Sequence, residues 1–270
     1  MKVIADEHKV SIKLSCRLCS LNESSYYYKS KQGQSDEVIK KELQELAEKH
    51  LRWGFDKMMP AIRQKGYRWN HKRVYRVYTG LGLNLRKKLR KRLPCREAVA
   101  LVQPLYANCC WSIDFMTDVL RDRRQFRTLN VLDDYNREIL LIEPSFSLPA
   151  FHVTRLLDQL GETRGYPAMI RVDNGPEFIS KQFQGWAKSR GILVHYIQPG
   201  KPAQNAYIER FNRTYREDIL DAYYFDSLRE VKTLTREWMN SYNEDRPHEA
   251  LNNLSPFNFH RKQIEQRIGV

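Results

Sequence analysis

The spacing of apolar residues divides the chain into a short helical stretch and a longer one in which strand and helix patterns alternate. Over residues 36–83 the period is helical. Val38, Ile39, Leu43, Leu46 and Ala47 form the stripe of a helix from about Asp36 to His50. Asp36 and Glu37 lie in its first turn, where the helix dipole favours acid. A second helix is predicted from about Asp56 to Lys65, stopping at Gly66, with Pro60 in or just after its first turn. A third opens at Asn70, a good N-cap, buries Val74, Val77 and Leu81, and ends near Gly80 to Gly82.

Beyond residue 105 the period changes. Strands are predicted at 111–116, 127–132 and 138–143, then a helix over 149–164 closed by Gly165. A fourth strand, 168–172, runs into Asp173-Asn174-Gly175-Pro176, a strong turn signal. A helix over 180–190, a fifth strand over 192–197 and a long helix from Asn205 to about Tyr223 follow. This order predicts an α/β core with a mixed five-stranded sheet, preceded by a small all-α domain. The boundaries read as an irregular segment at 1–35, the helical domain at 36–83, a linker at 84–104, the core at 105–223 and a helical extension at 224–270.

Charge sharpens this division. The chain of 270 residues carries a net +14; residues 1–100 hold 24 Lys+Arg against 10 Asp+Glu, and the remainder holds 22 of each. The whole excess lies in one third of the chain, the footprint expected of nucleic-acid binding. The candidate contacts are His71, Lys72 and Arg73, which fill the first turn of the third helix, and the linker run Arg86, Lys87, Lys88, Arg90, Lys91 and Arg92. Cations in a first helical turn oppose the dipole, and a bound phosphate reverses that penalty. Three short helices ending in a basic one are similar to a helix-turn-helix unit.

No apolar run is long enough to span a bilayer, and Met1 to Val10 lack a signal-peptide core, so a cytoplasmic, nucleoid-associated protein is expected. Five cysteines argue against a disulfide framework. Cys16 and Cys19 form a lone C-x-x-C pair, more readily read as ordinary small residues than as half a zinc site.

Three carboxylates sit where the α/β order can bring them together. Asp114 lies within the first strand, facing away from Trp111, Ile113 and Phe115. Asp173 follows the fourth strand, at the carboxyl end where open α/β sheets place their sites. Glu209 lies in the first turns of the long helix, off the stripe of Ile208, Phe211, Tyr215, Ile219 and Ala222 and on a face with Asn205, Arg213 and Arg216. Such a set suits two magnesium ions about 3.5–4 Å apart acting on a phosphodiester. Asp118, Asp133, Asp134 and Glu177 compete for the role.

Trp111-Ser-Ile-Asp-Phe, Val172-Asp-Asn-Gly-Pro-Glu-Phe and Pro199 through Asn212 resemble the three DDE motifs of bacterial insertion-sequence transposases related to retroviral integrases. Thirty-five residues separate Asp173 from Glu209, matching that family's spacing, and Arg216 follows the glutamate by seven. Trp53-Gly-Phe and Asn70 to Tyr75 resemble the helix-turn-helix block that precedes such cores. The best match is the OrfB product of the IS-three type. That resemblance implies an RNase H-like fold, catalytic and metal-binding roles for Asp114, Asp173 and Glu209, and magnesium or manganese as cofactor. It also implies strand nicking and strand transfer at element ends, with DNA, an OrfA partner or OrfAB fusion, and further copies of the chain as partners. The helix face that Asn205, Arg213 and Arg216 share with Glu209 suits contact with the DNA phosphates, and the resemblance matches the basic residue at Arg216. Pro60 departs from the family's second helix. The competing readings are a non-catalytic DNA-binding regulator and a nuclease that hydrolyses without strand transfer.

Overall fold

The helical period of the first third is realised as five helices among the described residues. The computed structural model describes residues 11–27, 32–85, 101, 103–198 and 202–268. Helices α1 (Ile12–Leu18) and α2 (Glu23–Tyr27) occupy a stretch expected to be irregular. Ser11 caps α1, its hydroxyl accepting from Leu14 N at 3.3 Å. Only Ser15 and Cys16 of α1 are buried, so no apolar stripe announces it in the sequence.

Helices α3 (Gln32–Lys49), α4 (Phe55–Gln64) and α5 (His71–Gly80) form a compact three-helix unit. Ile39, Leu43, Trp53, Met58, Ile62 and Val74 make its core. Val38, predicted to belong to the buried stripe, is exposed, being one residue and about 100° away from the fully buried Ile39. α3 also starts before Asp36, so that residue is not in the first turn. Its carboxylate turns inward and accepts from Arg73 Nε at 2.8 Å and Arg76 Nη2 at 2.6 Å. Pro60 lies within α4, which forgoes one backbone bond there without ending. Asn70 caps α5 as predicted, accepting from Lys72 N at 2.9 Å.

The sheet contains β1 (Cys110–Val119), β2 (Gln125–Asp133), β3 (Ile139–Ser145), β4 (Met169–Val172) and β5 (Leu193–Tyr196). Its order is β3-β2-β1-β4-β5. The first three strands are an antiparallel meander, and β4 and β5 join in parallel. The mixed five-stranded sheet expected from the pattern is therefore present.

Helices α6 (Ala150–Arg164), α7 (Pro176–Ile179) and α8 (Lys181–Ser189) cover one face. There Trp111, Ile113, Leu129 and Val172 pack with Leu157, Phe178 and Phe183. On the other face lie α9 (Ala206–Tyr215), a π-helical turn over Arg216–Leu220 and α10 (Leu228–Asp245). Phe126, Leu132 and Ile142 pack there with Ile208, Phe211 and Tyr215. Each such fully buried side chain stabilises the fold by about 1.5–3 kcal/mol. The chain continues into α11 (Pro256–Ile268). No described helix is long and apolar enough to cross a membrane.

The long helix departs from its predicted course. A regular α-helix to Tyr223 would bury Ala222, but the π-turn inserts an extra residue and shifts the phase. Leu220 joins Ile219 in the core, and Ala222 is exposed.

Candidate active site

Asp114 sits in the middle of β1 on the face covered by α9, opposite Asn130 of β2. β1 pairs with β4 in parallel through Ser112 and Arg171; extended by two residues, that register sets Asp173 level with Asp114. Glu209 comes from the first turn of α9, which packs on β1 and β2. The three carboxylates reach one another electrostatically. Burial pushes the Asp114 carboxyl up to about 6, and the negative charges of Asp173 and Glu209 push the same way. The Phe115 N–H and the Asn212 amide oppose that shift.

Asp114 is held at both oxygens. Phe115 N donates to Oδ1 at 2.9 Å and Asn212 Nδ2 to Oδ2 at 2.7 Å. Asn212 in turn accepts from Asn130 Nδ2 at 2.7 Å. Neither asparagine was singled out from the sequence. Asn212 stands three residues after Glu209, a spacing that shares a helix face, and that was the available signal. Asp173 accepts from Gly175 N at 3.0 Å. Gly175 sits close against it: a Cβ there would lie 3.0 Å from Asp173 Oδ1 and 3.4 Å from Glu177 Oε2, so any side chain would crowd the carboxylate.

The competing acids are otherwise engaged. Glu177 pairs with Arg127, and Asp118 lies 3.4 Å from Arg216. Asp134 is fully buried against Arg171 and Ser112. Asp133 accepts from Asn108 N at 2.8 Å and Tyr135 N at 2.9 Å. Asp173 and Glu209, by contrast, are exposed and have no ion pair among the described residues. Hard oxygen donors with unbalanced negative charge suit a divalent cation. No three His, Cys, Asp or Glu side chains among the described residues are gathered closely enough to hold an ion unaided. Magnesium does not require that, since it takes one or two carboxylates and completes its shell with waters and phosphate oxygens.

The predicted DNA contacts divide. Lys72 is exposed, and His71 is exposed with its ring edge-on to Phe55 at 4.9 Å. Arg73 is instead turned onto Asp36, as described above, because the buried carboxylate needs a partner. Asn205 is buried, 3% exposed, so its side chain is not an open contact. Arg213 is exposed and without an acidic partner among the described residues. Arg216 donates to Thr117 O at 2.9 Å and lies near Asp118. The run Arg86, Lys87, Lys88, Arg90, Lys91 and Arg92 lies outside the described residues.

The chain matches an HTH-like domain over residues 34–92 and integrase core domains over 106–202 and 190–256. The 31.7 kDa protein of insertion element IS407 from Burkholderia multivorans is 37% identical over 97% of this chain and 95% of that protein. The transposase for insertion sequence element IS629 from Shigella sonnei is 25% identical over 88% of each chain. Among solved structures, a chain of the simian T-cell lymphotropic virus intasome in complex with PP2A regulatory subunit B56 gamma aligns with a TM-score of 0.49. Its identity is 17%, with 74% of each chain covered.

Proposed function

The chain belongs to the integrase-core transposases encoded by insertion elements, and from that membership we propose that it nicks and joins DNA at its element's ends, with magnesium held by Asp114, Asp173 and Glu209. The observation that supports the reading is the β1–β4 register that brings Asp173 level with Asp114, together with the negative charges of Asp173 and Glu209 acting on the Asp114 carboxyl while neither has a cationic partner among the described residues. Bound there, two magnesium ions would supply an activated oxygen nucleophile and relief of charge on the leaving oxygen.

The chain's own groups supply position. Asn212 and the Phe115 amide fix the Asp114 carboxylate, so its oxygens need not be ordered at the moment of reaction. The absence of a side chain at Gly175 keeps the Asp173 carboxylate uncrowded. Arg213 offers a guanidinium to the incoming backbone. In the first step a water oxygen bonds to phosphorus, the P–O bond to the 3′ oxygen breaks, and a 3′ hydroxyl is released. In the second that hydroxyl attacks a target phosphodiester and displaces a strand end. Bonds are exchanged in both steps and no covalent intermediate with the enzyme is needed.

The DNA-contacting surface combines Lys72, His71, Arg213 and the basic run at 86–92. An upstream OrfA product, joined or free, and further copies of this chain complete the assembly on DNA. The test is strand transfer by the chain on labelled element-end duplexes with magnesium, with and without OrfA. Joined products support the reading; binding without cleavage in both arms would make the chain a regulator, and hydrolysis without joining a nuclease.

A further inference from the structure

α9 has two working flanks. Glu209 and Asn212 face the carboxylate site. On the other side, a cleft of about 530 Å³ opens between α9, the 246–253 segment and helix α4 of the helical unit. This is the size of an ordinary ligand site, far larger than the roughly 30 Å³ share of one water. The two units are tied by Lys49 Nζ, 2.6 Å from Asp245, and by Gln64, which donates at 2.8 Å to the carbonyl of Asn253 on the cleft lining.

The lining is cationic. Lys57, Arg63, Arg137, Arg210 and Arg246 face it, against the acids Asp56 and Glu249. Arg246 is paired with Asp218 at 3.0 Å. Lys57, Arg63 and Arg210 have no ion pair among the described residues. Arg137 is 9% exposed, stacks 3.4 Å over the Tyr207 ring, and its Nη1 is buried without a hydrogen-bond partner. His248 Nε2 is buried and unpartnered too. An unpaired buried guanidinium N–H, an unsatisfied buried ring nitrogen and clustered like charges are each costly in a finished interior. Found together, they mark a place for an anion.

We propose that this cleft binds phosphodiester groups of the element-end DNA, so that one strand is held at once by the helical unit and the catalytic core. The inference rests on the reading of the chain as a DNA-joining enzyme and adds a second DNA site to it. Glu209 and Arg210 are consecutive on α9, about 100° apart around its axis, so a strand crossing the helix passes from the carboxylates into the cleft. The electrostatics agree. Burial, with Arg246 and Arg210 nearby, draws the Lys57 ammonium down to about 7, while Asp218 opposes that shift. His248 is held well below its ordinary value by burial and by Arg246, Lys57, Arg137 and Arg210. A phosphate in the cleft would return Lys57 to its charged state.

The test uses the full chain in EDTA, so that binding is read without cleavage. Affinity for an element-end duplex is measured against salt for wild type, Lys57→Gln, Arg210→Gln and the double variant. Each lost phosphate contact should lower the slope of log affinity against log salt by about 0.9, so the double variant should lose roughly 1.8. Its melting temperature without DNA should hold or rise, because mutually repelling cations are removed; a merely structural role would lower it. Tripolyphosphate serves as the free-anion probe and should raise the melting temperature of wild type but not of the double variant. An unchanged DNA slope in the double variant overturns the proposal. That holds even if tripolyphosphate stabilisation is lost, since the cleft would then serve a free anion. Asp114→Asn, run alongside, tests the catalytic reading separately: it should keep the wild-type slope while abolishing cleavage in magnesium.

Discussion

Asn212 places its Nδ2 2.7 Å from Asp114 Oδ2, linking α9 to the middle of the central strand at the point where Glu209 also leaves the helix. Asn130, opposite Asp114 in the sheet, holds the other end of the same amide. The two asparagines are therefore positioning residues for the carboxylate. Asn212→Ala should cut nicking about 10- to 100-fold, the usual cost of removing an outer partner of a metal ligand. The magnesium concentration giving half-maximal rate should rise with it, which a purely structural defect would not produce. An unchanged magnesium requirement counts against this role.

Arg216 shares the strand-facing side of the long helix but is anchored there by Thr117 O, with Asp118 at 3.4 Å and Asp221 at 3.7 Å. Arg213, one turn nearer Glu209, is unpaired among the described residues. Arg213→Ala should therefore weaken element-end binding several-fold, and Arg216→Ala less, because DNA must compete with existing partners. Equilibrium binding at two salt concentrations ranks them; the reverse order would make Arg216 the principal clamp.

Arg171 is 8% exposed and meets the fully buried Asp134 beneath the sheet's parallel join. Arg171→Met strands a buried carboxylate and should cost about 3–5 kcal/mol. Adding Asp134→Leu should restore part of that loss, since a well-packed apolar pair replaces an ionic one. Urea unfolding of both variants reads the difference, and a silent single variant would contradict the account of this pair.

His50 stacks on Trp53 with ring centroids 3.7 Å apart. Burial lowers its pKa to about 4, and the neighbouring Lys49 charge adds to the effect. The folded state thus favours the neutral ring. Between pH 4 and 6.5 the unfolded chain binds the extra proton, so stability is full above about 6.5 and falls as pH drops toward 4. Thermal melts from pH 7 to 4.5 should show a steeper loss for wild type than for His50→Gln; parallel curves would remove His50 as the cause.

The sheet and its three carboxylates were legible because strand periodicity, a turn signal after Val172 and the spacing to Glu209 are local features of the chain. What stayed hidden depends on register between distant segments. Asn130 and Asn212 matter only because one strand and one helix bring them to Asp114. Arg73 reads as a basic helix-start residue until α3 turns Asp36 toward it. Nor does any residue type announce the π-turn at Arg216–Leu220, since a one-residue change of phase leaves the apolar spacing nearly as before. The cleft beside α4 lies between two units, and a linear pattern carries no information about their docking.

If Asp114, Asp173 and Glu209 together hold the ions that drive strand cleavage, loss of any one carboxylate should stop the reaction without loosening DNA binding. The deciding measurement is nicking of an element-end duplex in magnesium by Asp114→Asn, Asp173→Asn and Glu209→Gln. Each should lower the rate by about a thousandfold, some 4 kcal/mol of transition-state stabilisation, while duplex affinity stays within about threefold. A rate within tenfold of wild type for any one of them would contradict its place in the site.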